Sequence, residues 1–448
     1  MKLSAVILAA GQGTRMKSNL PKVLHLLLGK PMAWYALEAA RQVTGGKPVM
    51  VIGHGADQVR RVLGNQARYV LQELQLGTGH AVLQTEPMLN RKSDLVLVTY
   101  ADMPLLTQDT LGRLVEVAQS HTGPVSMLTV TTGETRGFGH ILRDSIGKVS
   151  GIVEEEQATP EQLSLHELNP GVYCFRASWL WQALKRITLS PKGEYYLTDL
   201  VGMAVADGYG IQTIDLEEPD EVIGINTRVH LAQAETLLKQ RINRQWMLAG
   251  VTMIDPASIY IEPEVTLGQD TILWPGTYLH GNTRIGAGCV IGPNTIIKDT
   301  KVGDNCKLLA SVLESAVLED HVEMGPYCHL RKGAYLSTGV HMGNFGEVKN
   351  STLGPGAKMG HFSYMGDATV GADANIGAGT ITCNFDGTHK YPTEIGEGAF
   401  IGSDTMLVAP VKVGAGAKTG AGAVVTKDIP PNSLAVGVPA RVIRVLKK

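Results

Sequence analysis

The stretch Ile285–Ile297 reads IGAGCVIGPNTII and places an aliphatic residue at every sixth position, and Val413–Val425 (VGAGAKTGAGAVV) repeats the pattern with Thr419 at one such position. A period of six matches neither an α-helix nor an alternating strand. It is typical of a hexapeptide parallel β-helix, in which each hexapeptide forms one side of a triangular coil with its aliphatic side chain inside. The period recurs at Ile261, Leu267, Leu273, Leu279, Ile285, Ile291, Ile297, Leu330, Leu336, Met342, Val348, Ile395, Ile401, Leu407, Val413 and Val425. The sequence therefore predicts a left-handed parallel β-helix over residues 251–448, whose narrow interior accounts for an aromatic content of only 5%.

The repeat has two irregular segments. Thr382–Lys390 (TCNFDGTHK) carries no inward aliphatic and is predicted to be an inserted loop. Insertions in solenoids emerge on one face and often bind ligands. Val302–Met324 is less regular, and we expect a change of phase there rather than a true break.

The first half of the chain has a different pattern, in which short apolar runs alternate with helical stretches. The runs are SAVILAA (4–10), PVMVIG (48–53) and LVLVTY (95–100), and helices are predicted around Pro31–Val43, Asp57–Leu63 and Thr107–Gln119. Such alternation predicts βαβ units and a parallel sheet, which is a Rossmann-like α/β domain. A helical arm is predicted at 227–250, so the proposed domains are 1–226, the linker 227–250 and 251–448.

Composition excludes several classes of protein. Forty Lys and Arg residues oppose 42 Asp and Glu residues, and the net charge of −2 gives no global attraction to nucleic acid or to a membrane surface. No uninterrupted apolar run approaches the roughly 18 residues of a membrane span, and the N-terminal apolar stretch reads as a strand rather than a signal peptide. Five scattered cysteines without C-x-x-C spacing argue against a disulfide framework or a zinc site. We therefore expect a cytoplasmic protein.

A glycine-containing loop follows the first predicted strand. In LAAGQGTRM (Leu8–Met16), Gly11 and Gly13 allow successive backbone N–H groups to face an anion, while Arg15 and Lys22 add cationic donors for phosphate. The motif is neither G-x-G-x-x-G nor a Walker A sequence, so an ordinary βα turn with two solvated basic residues remains the alternative. A second small-residue loop, QLGTGHA (75–81), could admit a planar base.

Two acidic residues lie where the ligands of α/β sheets bind. Asp102 follows the buried run LVLVTY at the carboxyl end of a strand, and Glu154 ends a strand-like run. Beside a phosphate loop, Asp102 is a candidate Mg²⁺ ligand, because Mg²⁺ prefers one or two carboxylates plus phosphate oxygens. A turn or capping role for Asp102 and a solvated turn at Glu154 are the alternatives.

In the second half, His361 is the candidate general base. His361 and Tyr364 are three residues apart, and Asn375 lies 14 residues beyond His361, which is close to one coil of the predicted β-helix. We expect the three side chains to lie near one another. Imidazole accepts a proton near neutral pH, and acyl transfer to an ammonium group requires that a proton be removed. An ordinary surface histidine is the alternative.

These motifs together resemble one enzyme family. The features that carry this similarity are LAAGQGTRM with PKVLH (21–25), QLGTGHA, the aspartate after LVLVTY, GIVE (151–154), GEYYLTD (193–199), GIN (224–226), a helical arm and a hexapeptide β-helix. The chain is similar to the bifunctional bacterial N-acetylglucosamine-1-phosphate uridyltransferase/glucosamine-1-phosphate N-acetyltransferase. The resemblance covers essentially the whole chain. It implies acetyl-CoA-dependent N-acetylation of glucosamine-1-phosphate, followed by uridylyl transfer from UTP. The product would be UDP-N-acetylglucosamine, a precursor of peptidoglycan and lipopolysaccharide.

For the uridyltransferase half, the resemblance implies a nucleotide-sugar site and a magnesium ion held by Asp102 and Asn226. The implied substrate contacts are Leu8, Ala9, Ala10, Gly11, Arg15, Lys22, Gln72, Gly77, Thr78, Tyr100, Asp102, Gly139, Glu154, Asn169 and Asn226. Two positions depart from the family pattern: Ala101 replaces a glycine and Pro170 replaces a threonine. We expect Ala101 to add a methyl group near the ligand and Pro170 to remove a backbone donor.

For the acetyltransferase half, the resemblance implies that His361 is the catalytic base and that Arg331 and Lys349 bind the sugar phosphate. Tyr364 and Asn375 would orient the sugar. Acetyl-CoA would contact Ala378, Asn384, Phe385, Ser403, Ala421 and Arg441, although direct alignment of the tail places Val438 at the position of the family arginine. A homotrimer with shared sites is also implied. Two alternatives remain: a single-activity nucleotidyltransferase with the β-helix as a scaffold, and a protein that only binds nucleotide-sugars.

Overall fold

A computed structural model of the chain describes residues 1–446. These residues form two compact units, Met1–Leu238 and a second unit that begins at Lys239, so the division falls inside the helix Arg228–Leu248. The helical arm is thus confirmed, whereas the proposed functional bounds 1–226, 227–250 and 251–448 stay a prediction whose last two residues lie outside the described part. No helix within residues 1–446 is both long and apolar enough to cross a membrane. All five cysteines are free thiols.

The first unit is built around one ten-stranded sheet with the order β5-β4-β1-β6-β11-β7-β10-β8-β9, and β12 pairs with β7. The strands of this unit are β1 (Leu3–Ala9), β2 (Leu26–Leu27), β3 (Lys30–Pro31), β4 (Val49–Ile52), β5 (Arg68–Leu71), β6 (Leu95–Tyr100), β7 (Val125–Thr131), β8 (Gly139–Arg143), β9 (Val149–Val153), β10 (Glu167–Asn169), β11 (Tyr173–Arg176) and β12 (Gln212–Asp215). Strands β2 and β3 form a separate hairpin.

The helices of the chain are α1 (Met32–Thr44), α2 (Ala56–Leu63), α3 (Thr78–Leu83), α4 (Glu86–Leu89), α5 (Gln108–Ser120), α6 (Pro160–Leu163), α7 (Ala177–Leu184), α8 (Asp199–Ala206) and α9 (Arg228–Leu248). The three helices predicted before residue 120 correspond to α1, α2 and α5. In α5, the Thr107 side chain caps the first turn by accepting a hydrogen bond from the Thr110 amide.

The predicted parallel sheet is confirmed for β5, β4, β1 and β6, which all run in one direction. Beyond β6 the sheet is mixed, which corrects the prediction: β11 is antiparallel to both β6 and β7, whereas β12 is parallel to β7. A parallel connection requires a crossover of a dozen or more residues, usually a helix. Between β7 and β11 the chain forms β8, β9, the four-residue α6 and β10 rather than one crossover helix, and β11 pairs antiparallel to β7.

The second unit is the predicted parallel β-helix, with three sheets that are here named the first, second and third faces. The first face contains Thr252–Met253, Ile272–Leu273, Val290–Ile291, Lys307–Leu308, Glu323–Met324, His341–Met342, Lys358–Met359, Asn375–Ile376, Phe400–Ile401, Lys418–Thr419, Ser433–Val436 and Arg441–Val445. The second face contains Tyr260–Ile261, Tyr278–His280, Ile296–Lys298, Val312–Glu314, His329–Leu330, Gly346–Lys349, Ser363–Gly366, Ile381–Cys383, Met406–Val408 and Val424–Val425. The third face contains Thr266–Leu267, Arg284–Ile285, Lys301–Val302, Val317–Leu318, Tyr335–Leu336, Thr352–Leu353, Ala368–Val370, Thr393–Ile395 and Val411–Val413.

The six-residue period is confirmed as the inward stripe of the β-helix. Every residue of the predicted series is buried in one continuous core except Leu267, which is half-buried against it near the start of the solenoid. The frequent Ile-Gly pair also has a packing reason. A Cβ at Gly286 would lie 2.6 Å from the Gly303 carbonyl oxygen of the next coil, so this corner admits only glycine if the coils are to stack.

Both irregular segments behave as expected. Val302, Leu308, Leu313, Leu318 and Met324 are all buried in the core, and their unequal spacing is the predicted change of phase. The segment after Thr382 leaves the coil as a loop before the strand Thr393–Ile395 resumes the third face.

Candidate functional site

A cleft of about 490 Å³ lies at the carboxyl ends of β1 and β6. These ends are adjacent because Leu8 pairs with Tyr100 in the parallel register. Ten of the predicted nucleotide-site residues line the cleft: Leu8, Ala9, Ala10, Gly11, Lys22, Gln72, Gly77, Thr78, Tyr100 and Asp102. The topology therefore brings the glycine loop, the second small-residue loop and the strand-end aspartate to one edge of the sheet, which is where α/β sheets bind ligands.

The glycine loop has a different internal arrangement from the one that its sequence indicates. Gly13 has a φ of 64°, and a Cβ there would lie 2.6 Å from the Cβ of Lys22. Gly13 therefore makes room for Lys22, while the space beside Gly11 is open. Arg15 lies in the one-turn 3-10 helix Thr14–Met16 and is exposed, and it is absent from the set that lines the cleft.

The proposed metal ligands converge on one ammonium group. Lys22 Nζ lies 2.5 Å from Asp102 Oδ2 and donates a hydrogen bond of 3.0 Å to Asn226 Oδ1. The Ile225 amide donates to the Asp102 carbonyl at 2.9 Å, which holds Asn226 beside Asp102. A carboxylate and an amide oxygen that already share one cation fit a hard divalent ion.

Within residues 1–446 no cluster of three or more His, Cys, Asp or Glu side chains forms a metal site. A divalent ion at Asp102 and Asn226 would therefore complete its coordination with water and phosphate oxygens. This donor set is the one that Mg²⁺ favours over a cage built only of protein groups.

Two glutamines, one in the second small-residue loop and one just before it, have side-chain amides that the backbone holds in place. Gln75 Nε2 donates to the Ala10 carbonyl at 2.8 Å, and Gln72 Nε2 donates to the Gly77 carbonyl at 3.1 Å. Gln75 and Glu194 line the cleft and were absent from the predicted set. Gln75 lies in the motif QLGTGHA and Glu194 lies in GEYYLTD, so the sequence could have indicated these two cleft residues only through their positions in those motifs.

The remaining predicted sugar contacts lie in a neighbouring group. Glu154 accepts a hydrogen bond of 2.7 Å from the Thr198 hydroxyl. At Gly139 an added Cβ would lie 2.8 Å from the Ile152 side chain and 3.6 Å from Glu154 Oε2, so a larger residue here would crowd Ile152 beside this carboxylate. Burial raises the pKa of Tyr100, and the carboxylates of Asp102 and Glu154 raise it further, which keeps its hydroxyl protonated.

Asn169 is buried, and its amide is used internally: Nδ2 donates to the Tyr173 hydroxyl at 2.8 Å and Oδ1 accepts from the Gly171 amide at 3.0 Å. The residue after Pro170 thus supplies the backbone donor at this turn.

The expectation for Ala101 is corrected. Ala101 is fully buried in the core of the first unit and is not among the cleft residues, and its amide donates to the Leu8 carbonyl just beyond the end of β6.

In the second unit, a groove of about 490 Å³ runs along the first face. His361 lies at the corner between the first and second faces, and Asn375 is on the first face one coil further along. The groove brings together five predicted residues from both substrate sets: His361, Asn375, Ala378, Ser403 and Ala421. An imidazole therefore lies in the same groove as three of the predicted acetyl-CoA contacts.

Arg331, Lys349 and Tyr364 lie on the second face. Leu330 pairs with Val348, and Lys349 pairs with Gly366, so Arg331, Lys349 and Gly366 occupy equivalent places on successive coils. The Tyr364 hydroxyl extends over Gly366, where an added Cβ would lie 2.3 Å from it. Tyr364 therefore places its hydroxyl directly beyond the two cations, whereas its convergence with His361 and Asn375 stays a prediction.

A third cation, Lys390, joins this group from the inserted loop. The pKa of Lys349 is lowered by the neighbouring charge of Lys390 first and by that of Arg331 second, so the three form one cationic row. Sequence reasoning identified the insertion but missed Lys390. The only sequence feature that pointed to Lys390 was its position as a basic residue at the end of a loop expected to bind a ligand.

The inserted loop is fastened to the solenoid by Asn384, which is buried and donates to Asp367 Oδ2 at 2.5 Å. Phe385 is exposed and forms a β-bridge with Lys390 across the loop.

Near the C-terminus, Arg441 begins the strand Arg441–Val445 and pairs with Val436, two strands beyond Thr419 on the first face. Arg441 is thus on the face that carries the groove, and Val438 is exposed in the preceding turn.

Comparisons with known proteins cover nearly the whole chain. A model of the MobA-like NTP transferase domain matches residues 5–198, and the bacterial transferase hexapeptide model (six repeats) matches residues 264–299 and 392–427. The chain is 48% identical to the "Bifunctional protein GlmU" of Trichlorobacter lovleyi over 97% of its own length and 95% of that protein. It is 47% identical to the protein of the same name from Heliobacterium modesticaldum over 97% and 95% of the two lengths, and 45% identical to that of Geobacillus thermodenitrificans over 98% and 95%.

Proposed function

The chain belongs to the family of bifunctional GlmU proteins, and on that premise we propose that its two units catalyse consecutive steps of UDP-N-acetylglucosamine synthesis. The second unit acetylates glucosamine-1-phosphate with acetyl-CoA, and the first unit transfers a uridylyl group from UTP to N-acetylglucosamine-1-phosphate. The observation that carries this assignment is the presence in one chain of a cleft with Lys22 between Asp102 and Asn226 and of a groove that contains His361 and Asn375.

In the uridyltransferase cleft, an oxygen of the sugar-1-phosphate attacks the α-phosphorus of UTP, and the bond to pyrophosphate breaks. The attacking phosphate is already anionic, so neither a protein nucleophile nor a general base is needed. Lys22, Arg15 and the loop amides orient and neutralise the phosphates. A Mg²⁺ ion bound by Asp102 and Asn226 would stabilise the charge of the phosphate oxygens.

In the acetyltransferase groove, the amine of glucosamine-1-phosphate must be neutral to attack the thioester carbonyl. His361 accepts the amine proton as the new amide bond forms, and the C–S bond breaks to release the thiol of coenzyme A. Arg331, Lys349 and Lys390 hold the sugar phosphate, while Tyr364 and Asn375 orient the sugar. Acetyl-CoA is contacted by Ala378, Asn384, Phe385, Ser403, Ala421 and Arg441.

We further propose a cytoplasmic homotrimer. A threefold assembly of parallel prisms would place the groove of one subunit against a neighbouring subunit. Size measurement by light scattering tests this assembly, and a monomer with full acetyltransferase activity would contradict it.

One assay separates the bifunctional function from a nucleotidyltransferase with an inert scaffold. Acetyl-CoA and glucosamine-1-phosphate are supplied, and free thiol is followed with a chromogenic disulfide. We expect strong thiol release from the wild-type protein. An absence of thiol release, together with normal pyrophosphate release in a parallel assay, would establish the scaffold alternative.

Replacing Lys390 with methionine is expected to raise the KM for glucosamine-1-phosphate by about tenfold with little change in kcat, because one charge-assisted hydrogen bond to the phosphate is lost. Since Lys390 is the main cause of the lowered pKa of Lys349, that pKa should rise in the variant. Initial-rate kinetics and amine-reactive labelling across pH test the two parts. Lys412→Met, which removes an exposed lysine paired with Glu394, is the matched control, and an unchanged KM in Lys390→Met would refute the phosphate role.

Replacing Gly366 with alanine is expected to displace the Tyr364 ring, because the new Cβ would lie 2.3 Å from its hydroxyl. The ring can rotate away, so we expect the protein to fold and its acetyltransferase kinetics to match those of Tyr364→Ala. Kinetics of the two variants and of their double variant test this expectation. Additive losses in the double variant would show that Gly366 acts independently of Tyr364.

A further inference from the structure

Lys22 occupies a position between two groups that the proposed function assigns to a metal ion. Its ammonium lies 2.5 Å from Asp102 Oδ2 and 3.0 Å from Asn226 Oδ1, and the side chains of Lys22 and Asp102 are only 13% and 20% exposed. The same two oxygens cannot surround an ammonium group and a divalent ion at once, because the two cations would repel each other at contact distance. In this arrangement, metal binding requires Lys22 to leave.

The chain offers Lys22 a second place to bind once a nucleotide is present. Lys22 lines the same cleft as Leu8–Gly11, and the space beside Gly11 is open. The lysine side chain has four flexible carbons and a compact charge, so it can turn from the carboxylate to a phosphate without any movement of the backbone. Phosphate oxygens that enter the cleft would supply the negative charge that replaces Asp102 as its partner.

When a partly buried carboxylate loses its positively charged partner, its negative charge is left without a compensating positive charge. While Lys22 is present, Asp102 is neutralised and has little remaining attraction for a metal ion. Once Lys22 has moved to a phosphate, Asp102 and Asn226 become available together. The nucleotide then both draws Lys22 away and adds phosphate ligands for the metal.

We infer that Lys22 is an internal counter-ion that keeps the metal position closed until nucleotide phosphates bind, so that metal and nucleotide bind cooperatively and the free enzyme has low affinity for divalent ions. This inference rests on the proposed uridyltransferase function and concerns the regulation of the same site. It assigns Lys22 two successive partners, Asp102 before nucleotide binding and phosphate after it.

The test is a direct measurement of metal affinity on the full chain. Mn²⁺ binding is followed by electron paramagnetic resonance of the free ion, without nucleotide and with UTP, for the wild type and for Lys22→Met. Without nucleotide, we expect Lys22→Met to bind Mn²⁺ more tightly than the wild type, by a factor of roughly 5 to 150, which is the usual range of coupling between two sites. UTP should tighten Mn²⁺ binding strongly in the wild type and much less in the variant.

The matched control is Lys17→Met, which removes an exposed positive charge next to the same glycine loop but not the ammonium between Asp102 and Asn226. Its Mn²⁺ affinity without nucleotide should remain near that of the wild type. An equal gain in both variants would show that general charge, rather than the specific contact, weakens metal binding, and would overturn the inference. Circular dichroism and the thermal unfolding transition of each variant, compared with those of the wild type, report whether the first unit has folded.

The remaining outcomes are distinct. Unchanged or weaker Mn²⁺ binding by folded Lys22→Met would overturn the inference, as would a lack of Mn²⁺ binding to either protein under all conditions. Pyrophosphate release by the wild type is measured in the same preparation. Its absence would overturn the proposed function, while tighter Mn²⁺ binding in Lys22→Met would still support the role of Lys22.

Discussion

Replacing His361 with alanine is expected to lower acetyl transfer by about 10²- to 10⁴-fold, which is the usual contribution of a positioned general base. His361 shares a groove with Asn375 and three proposed acetyl-CoA contacts, so the loss removes the proton acceptor without removing the substrate contacts. Thiol release measures the effect. Uridylyl transfer, which depends on the other unit, should stay at the wild-type rate.

The residual activity of His361→Ala provides a sharper test of its role. As pH rises, a larger fraction of the substrate amine is already neutral, so the variant should recover activity relative to the wild type. His321→Asn is the matched control, because His321 is exposed and its backbone has a φ of 60°, which asparagine tolerates. If His361→Ala keeps wild-type acetyl transfer at neutral pH, the assignment of the base is wrong.

Replacing Asp102 with alanine is expected to abolish metal-dependent pyrophosphate release. The change removes the carboxylate of the proposed metal pair and leaves the Lys22 ammonium with only the Asn226 oxygen. Acetyl transfer should remain near normal, because Asp102 lies in the first unit. A coupled assay for pyrophosphate, run beside the thiol assay on one preparation, measures both activities.

Two further variants make the Asp102 result specific. Asp102→Asn keeps the size of the side chain but removes its charge, and we expect it to lose activity nearly as completely. Asp57→Asn removes an exposed carboxylate from the first turn of α2 and should leave both activities intact. Equal loss of both activities in Asp102→Ala would indicate misfolding or failed assembly, and retained pyrophosphate release would refute the metal role.

The β-helix was predictable almost residue by residue. Each inward position repeats the same environment, so one aliphatic every six residues encodes the coil, and even the irregular spacing around Leu313 and Leu318 kept those residues buried. The parallel core of the first unit was also predictable, because buried strands such as LVLVTY are apolar throughout. The antiparallel position of β11 was not, since pairing direction depends on which strands meet in space and no periodicity records it.

The candidate sites were predictable by residue type and by motif, but their internal contacts were not. Ala101 illustrates the limit, because its sequence neighbours Tyr100 and Asp102 line the cleft while its own methyl group lies in the core. Proximity in sequence therefore does not give proximity to a ligand. Lys390 illustrates the converse, because the inserted loop brings it next to Lys349, which lies 41 positions earlier in the chain.

The sequence by itself determined the division into an α/β unit and a triangular solenoid, because side-chain period and glycine spacing are local properties that each segment carries alone. Only the tertiary structure decided that one lysine ammonium lies between Asp102 and Asn226, residues that are 124 positions apart in the chain. Such contacts depend on the packing of distant segments against a common sheet edge. Their chemistry arises from distance and burial, which no single stretch of sequence specifies.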